Sequence, residues 1–170
     1  MMAGPDKAKA VRTAREVLSE ARIAAAPVPV ERVAKSRGVK VQFSPLDQEL
    51  SGMAFIRDGV PLIAVNSLHH PNRQRFTMAH ELAHHVMHAE LLAGSVHVDK
   101  VILRRDVLAG AGVDAHEIEA NNFAAELLMP EEWLGPYAAN LDVGDDEALA
   151  TVARKFKVSV AALQFRLLKM

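Results

Sequence analysis

RFTMAHELAHHVMH, residues 75–88, is the stretch from which the rest of the chain is read. It places four histidines and one glutamate within the nine positions from His80 to His88, in a chain that holds eight histidines altogether. An α-helix turns 100° per residue, so His80 and His84 lie on one face about 6 Å apart along the axis. That spacing lets two imidazoles converge on one tetrahedral zinc ion. Glu81 sits beside them, within reach of a water on the metal without being a ligand. Met78, Ala79, Leu82, Ala83, Val86 and Met87 give the helix an apolar surface that would bury it. Buried imidazoles and a buried carboxylate need partners, and a metal ion supplies them. His85 lies 100° from His84 and points elsewhere. His88 shares the face but stands about 12 Å along the axis from His80, too far to bind the same ion.

A third protein ligand must come from another segment, and HEIEANNFAAELLMP (116–130) is the candidate. Phe123, Ala124, Leu127 and Leu128 mark its buried face, and positions 117, 120, 121, 124 and 128 run along one side. Helical geometry therefore favours Glu117 as the ligand, with Asn121 one turn later to orient a metal-bound histidine. Glu119 falls with Asn122 and Glu126 on the polar side and is the rival ligand. His97 has no partner that the sequence names.

Around these segments the pattern is that of an α+β domain. Residues 7–25 carry apolar positions at helical spacing, ended by Pro27 and Pro29, and residues 30–36 read as a short second helix closed by Gly38. VKVQF (39–43) reads as a strand. SGMAFIR (51–57) and PLIAVN (61–66) flank Asp58 and Gly59, a hairpin signal. Pro61 suggests that the second hairpin strand begins at a sheet edge. A helix from 71 to about 89 follows, then less regular sequence with a possible strand at 101–104. A second long helix ends at Pro130, and the remainder is a helical C-terminal segment with a helical hairpin around a turn at Val158 and Ser159. The expected whole is one domain over 1–170: N-terminal helices (1–38), a small, mainly antiparallel sheet (39–67), zinc-site helices (71–130) and the C-terminal helices (131–170).

Composition narrows the function. Lys plus Arg (20) nearly equals Asp plus Glu (21), a formal charge of −1, which argues against a protein built to coat nucleic acid. There are no cysteines, so metal ligands must be His, Asp or Glu. No window approaches the roughly 20 apolar residues that span a bilayer, and no signal-peptide core is evident. A cytoplasmic protein without a membrane partner is the expectation.

Together, RFTMAHELAHHVMH and EIEANNFAAELLMP resemble the R-F-T-x-A-H-E-L-x-H and E-x-E-A-N-x-F-A-x-x-L-L-M-P cores of the ImmA/IrrE family of small zinc metallopeptidases. SGMAFIRDGVPLIAVN resembles its strand pair, and PVPVERVAKSRGVKVQF and ALATVARKFKVSVAALQFRL resemble its terminal segments. Ala83 stands where many members have Gly. The resemblance implies a thermolysin-like zinc site and proteolysis, with helix-turn-helix repressors or antitoxin-like proteins of phage, mobile-element or stress-response circuits as substrates. On this reading zinc is held by His80, His84 and Glu117, and Glu81 is the catalytic base. Tyr137, His88, Arg104 and Arg105 are options for a second oxyanion donor, and an extended substrate could add to a strand edge near 62–66. Two other classes compete: a zinc-bearing regulator that binds its partner without cleaving it, and a DNA-binding module formed by the C-terminal helices, with Arg154, Lys155, Lys157, Arg166 and Lys169.

Overall fold

A computed structural model describes residues 4–100 and 114–170, without the side chain of Lys100. In chain order its elements are α1 (Lys7–Glu20), α2 (Val30–Ser36), β1 (Lys40–Ser44), β2 (Leu50–Arg57), β3 (Val60–Asn66), α3 (Pro71–Met87), α4 (Ala89–Leu92), β4 (His97–Lys100), α5 (Ala115–Leu128), α6 (Glu131–Ala138), α7 (Asp146–Phe156) and α8 (Val160–Leu167). The four strands form one sheet in the order β1-β3-β2-β4. Strand β2 runs antiparallel to both β3 and β4, while β1 is parallel to β3, so the sheet is mainly antiparallel as expected.

Local chemistry explains the boundaries. Asp6 caps α1, its carboxylate accepting from the Lys9 amide at 2.8 Å. Pro71 opens α3, where its missing N–H costs nothing, and the His70 ring accepts from the Asn72 amide. The β2–β3 turn has positive φ at both Asp58 (51°) and Gly59 (75°), the requirement of a two-residue type I′ hairpin. Helix α7 ends in a left-handed Lys157, and Ser159 caps α8, which makes the C-terminal hairpin.

Helix α3 lies across β2 and β3, α5 packs on α3, and α1 packs on α5. The core at these contacts includes Ile63 and Val65 of β3, Leu82 and Ala83 of α3, Phe123 and Leu127 of α5, and Ala10 and Ala14 of α1, all fully buried. Each large apolar side chain so buried contributes about 1.5–3 kcal/mol. Close approach of α3 to the sheet depends on Gly52. A Cβ there would stand 2.5 Å from Thr77 Cγ2 and 2.7 Å from the Ala64 carbonyl oxygen.

Several expectations need correction. Helix α1 ends at Glu20, not near 25. Strand β3 is interior, so Pro61 does not mark a sheet edge; β1 pairs with β3 only from Leu62 onward, which leaves Pro61 with no β1 partner to miss. Asn66 is fully buried, its amide donating to the Leu50 carbonyl at 2.8 Å, so no substrate strand can add near 62–66. Glu126 is not on a polar face: it is buried between Arg15 (2.7 Å) and Arg166, because α1 and the C-terminal helices cover that side of α5. The edge strand β4 was not foreseen. The possible strand at 101–104, and Arg104 and Arg105, lie outside the described residues.

Candidate metal centre

Three segments meet beside the sheet. The middle of α3 carries His80, Glu81 and His84, all buried; the first turn of α5 carries Glu117; and β4 begins with His97. One donor atom from each of His80, His84, His97 and Glu117 lies within 4.8 Å of the others. The distances among three of them are regular. His80 Nε2 is 3.3 Å from His84 Nε2, and Glu117 stands 3.2 Å from each through its two oxygens. Ligands about 2.0–2.1 Å from a tetrahedral zinc are separated by about 3.3–3.4 Å, so each of these spacings, the two Glu117 contacts being to different oxygens, matches a ligand–ligand edge. A second group, His80, Glu81 and Asp99, also comes within 4.8 Å. It offers one imidazole rather than three.

Each clustered histidine turns Nε2 inward and engages Nδ1 outward. His80 Nδ1 is 2.9 Å from Asn121 Oδ1, which accepts its proton. His84 Nδ1 is 3.1 Å from His88 Nδ1, and His88 Nε2 is 2.7 Å from Glu119 Oε2. One proton arrangement satisfies this chain throughout: His88 Nε2–H donates to Glu119, His88 Nδ1 accepts from His84 Nδ1–H, and the His84 Nε2 lone pair faces the cluster. Glu119 also accepts from the Asp6 amide at 2.7 Å. It therefore stands outside the converging group, one layer behind His84, and Asn121 occupies the matching position behind His80.

The electrostatics fit a cation. Burial pushes His84 down to about 4, against the opposing pull of the Glu117 carboxylate, so its imidazole is neutral and its lone pair available. Burial raises Glu117, but its contacts with His80, His84 and His97 outweigh it and hold the carboxylate well below its usual range. Burial also pushes Glu81 up, opposed by its hydrogen bond with His97. The Glu81 Oε1 atom is buried without a hydrogen-bond partner among the described residues. An orphaned carboxylate oxygen beside three inward-facing donors marks a place built for a ligand. His97 bridges the two carboxylates, Nδ1 2.9 Å from Glu81 and Nε2 2.6 Å from Glu117. Burial lowers it, yet these two bonds raise it to about 10.

The remaining histidines have other duties. His85 donates to the Leu62 carbonyl at 2.8 Å, tying α3 to the sheet. Tyr137 stacks edge-on against Phe156 within the C-terminal helices. Arg166, one of the cations considered for DNA, is engaged internally by Glu126 and the Met129 carbonyl. Sequence reasoning missed His97. The alternation around it in SVHVD was a usable strand signal, since it sets His97 and Asp99 on one face.

A family model described as the IrrE N-terminal-like domain, Peptidase_M78, matches residues 34–168. Among solved structures the chain is similar in fold to a Mycobacterium tuberculosis transcriptional regulator, with 16% identity and a TM-score of 0.61. The match covers 91% of this chain and 44% of that one, so the chain spans less than half of its length. No curated protein matches the sequence significantly.

Proposed function

The chain belongs to the IrrE N-terminal-like family of peptidases, and from that premise we propose that it is a zinc-dependent endopeptidase. His80, His84 and Glu117 are its metal ligands and Glu81 its general base. The observation that carries this reading is the set of 3.2–3.3 Å spacings among the two Nε2 atoms and the two Glu117 oxygens, beside the buried, half-orphaned Glu81 carboxylate. Metal-dependent peptide hydrolysis needs both a metal and a proton acceptor that does not bind it, and these residues divide that way.

Zinc, when bound, supplies a Lewis acid that polarises the substrate carbonyl and makes water acidic near neutral pH. The chain's own residues do the rest. Asn121 and the His88–Glu119 pair fix the tautomers and ring planes of His80 and His84. Glu81 takes the proton of the attacking water at a carboxylate oxygen and gives it to the departing amine. Its burial, which raises its proton affinity, suits both transfers. The substrate class we favour is a protein partner, a helix-turn-helix repressor or an antitoxin-like protein. Near-neutral net charge, and a C-terminal hairpin whose Arg166 is engaged internally, weigh against direct DNA binding.

The test compares wild type with Glu81→Gln, measuring bound zinc and cleavage of a repressor encoded beside the gene. The variant should keep its zinc and lose cleavage. Equal cleavage by both proteins would refute the role of Glu81. A second reading, a zinc-bearing regulator that binds its partner without cutting it, is favoured by one observation: His97 occupies both carboxylates of the site. Zinc-loaded wild type that binds the repressor and leaves it intact would select that reading.

A further inference from the structure

We propose that His97, delivered by the edge strand β4, is a fourth protein ligand to the metal, so that the chain closes its own site. This rests on the metal-site reading above and goes beyond it, because three ligands leave a position open and four do not.

His97 repeats the arrangement of the two helix-borne histidines. His80 and His84 present Nε2 to the cluster while Nδ1 is held from behind by Asn121 and His88. His97 presents Nε2 to Glu117 at 2.6 Å while Nδ1 contacts the Glu81 carboxylate at 2.9 Å. A metal-bound histidine characteristically donates its other ring N–H to a carboxylate or carbonyl, and Glu81 Oε2 fills that place. The His97 ring centroid lies 3.8 Å from that of His84 and 6.0 Å from that of His80, so the three rings crowd one point. The His97–Glu117 contact is a proton-sharing distance. It needs to open by about 0.7 Å to reach the tetrahedral edge of about 3.3 Å, and a divalent ion would take the place of the shared proton.

The position of β4 gives the fourth ligand a consequence. Among the described residues it spans four positions and pairs with β2 alone, and it follows Gly94, whose φ of +91° turns the chain into the strand. A strand with one neighbour separates from a sheet more readily than an interior one. Its departure would remove His97 from the metal and release Glu81 Oε2 in the same movement. An extended substrate could then take the same β2 edge. The chain thus holds its own segment where a substrate strand would lie.

The experiment uses the full-length protein with cobalt(II) as the spectroscopic probe and zinc competition against a chelator. Wild type, His97→Gly and His80→Ala are compared. His97→Gly should bind cobalt at least about ten-fold more weakly than wild type and show an altered visible absorption. Added imidazole should restore the wild-type spectrum in that variant and leave wild type unchanged. Rescue by imidazole reads coordination directly, so a variant that merely loosened β4 would not give it. His97→Gly with wild-type affinity and spectrum, while His80→Ala loses the metal, would overturn the fourth ligand and leave the proposed zinc site standing. A wild-type protein that takes up neither cobalt nor zinc would overturn both.

Discussion

Replacing Glu119 by Gln tests whether a residue outside the cluster sets the protonation of His84 Nε2, the candidate ligand atom. The two Glu119 oxygens each accept one hydrogen bond, from the Asp6 amide and from His88 Nε2, both at 2.7 Å. Glutamine has one oxygen. If that oxygen stays on Asp6, the new NH2 faces His88 Nε2, which must become an acceptor and carry its proton on Nδ1 instead. His84 Nδ1, 3.1 Å away, then accepts, and the His84 proton moves to Nε2, the atom that faces His80 and Glu117. If the oxygen stays on His88, the amide meets the Asp6 N–H donor to donor. Either way a hydrogen bond to a charged group is lost, worth about 1.5–3 kcal/mol. When that loss falls on the metal-competent tautomer, zinc affinity drops by about 10–100-fold. Zinc competition against a chelator reads the affinity, and nitrogen-15 spectra of the metal-free histidine rings read the tautomer. Wild-type affinity within about two-fold, with His84 still protonated on Nδ1, would refute the relay.

Two further outcomes follow from geometry and charge. Gly52→Ala should cost about 1–3 kcal/mol in urea unfolding, because its Cβ meets the Ala64 backbone as well as Thr77; a change under about 0.5 kcal/mol would mean that α3 does not sit as closely on β2 as described. Metal-free protein in chelator should lose stability as pH rises from 6.5 to 10, because His97, raised to about 10, binds its proton preferentially in the folded chain across that window. Below 6.5 the lowered His84 and the raised Glu81 act in opposite directions, so the test is the upper window. Thermal melts from pH 6.5 to 10 check the sign, and stability that rises across that window would contradict the His97 assignment.

The sequence made the helical part of the site legible because its spacing is a covalent fact. His80, Glu81 and His84 occupy one helix, and the period of 3.6 residues fixes their relation before any tertiary contact forms. Glu117 and Asn121 could be placed on one side of their helix for the same reason, and Phe123, Ala124, Leu127 and Leu128 are buried as that side requires. Asp58 and Gly59 likewise gave the hairpin through the φ values they tolerate. The failures came where neighbours decide. Glu126 looks like a polar-face residue until Arg15 and Arg166, from opposite ends of the chain, close over it. Strand β3 looks like an edge until β1 pairs with it across an intervening strand. His97 is silent in sequence because its meaning depends on β2 bringing β4 beside α3, a pairing that no local pattern specifies.

Glu119 joins two places that seem unrelated along the chain. Its carboxylate holds the backbone amide of Asp6, the capping residue of the first helix, and the ring of His88 behind the candidate ligand His84. Only a few hydrogen bonds separate the start of α1 from Nε2 of His84, the candidate ligand atom. A bound protein that displaced Asp6 would be felt at His84 as a change in metal affinity without touching the site. For a partner protein, the first turn of α1 is a place from which the centre can be tuned at a distance.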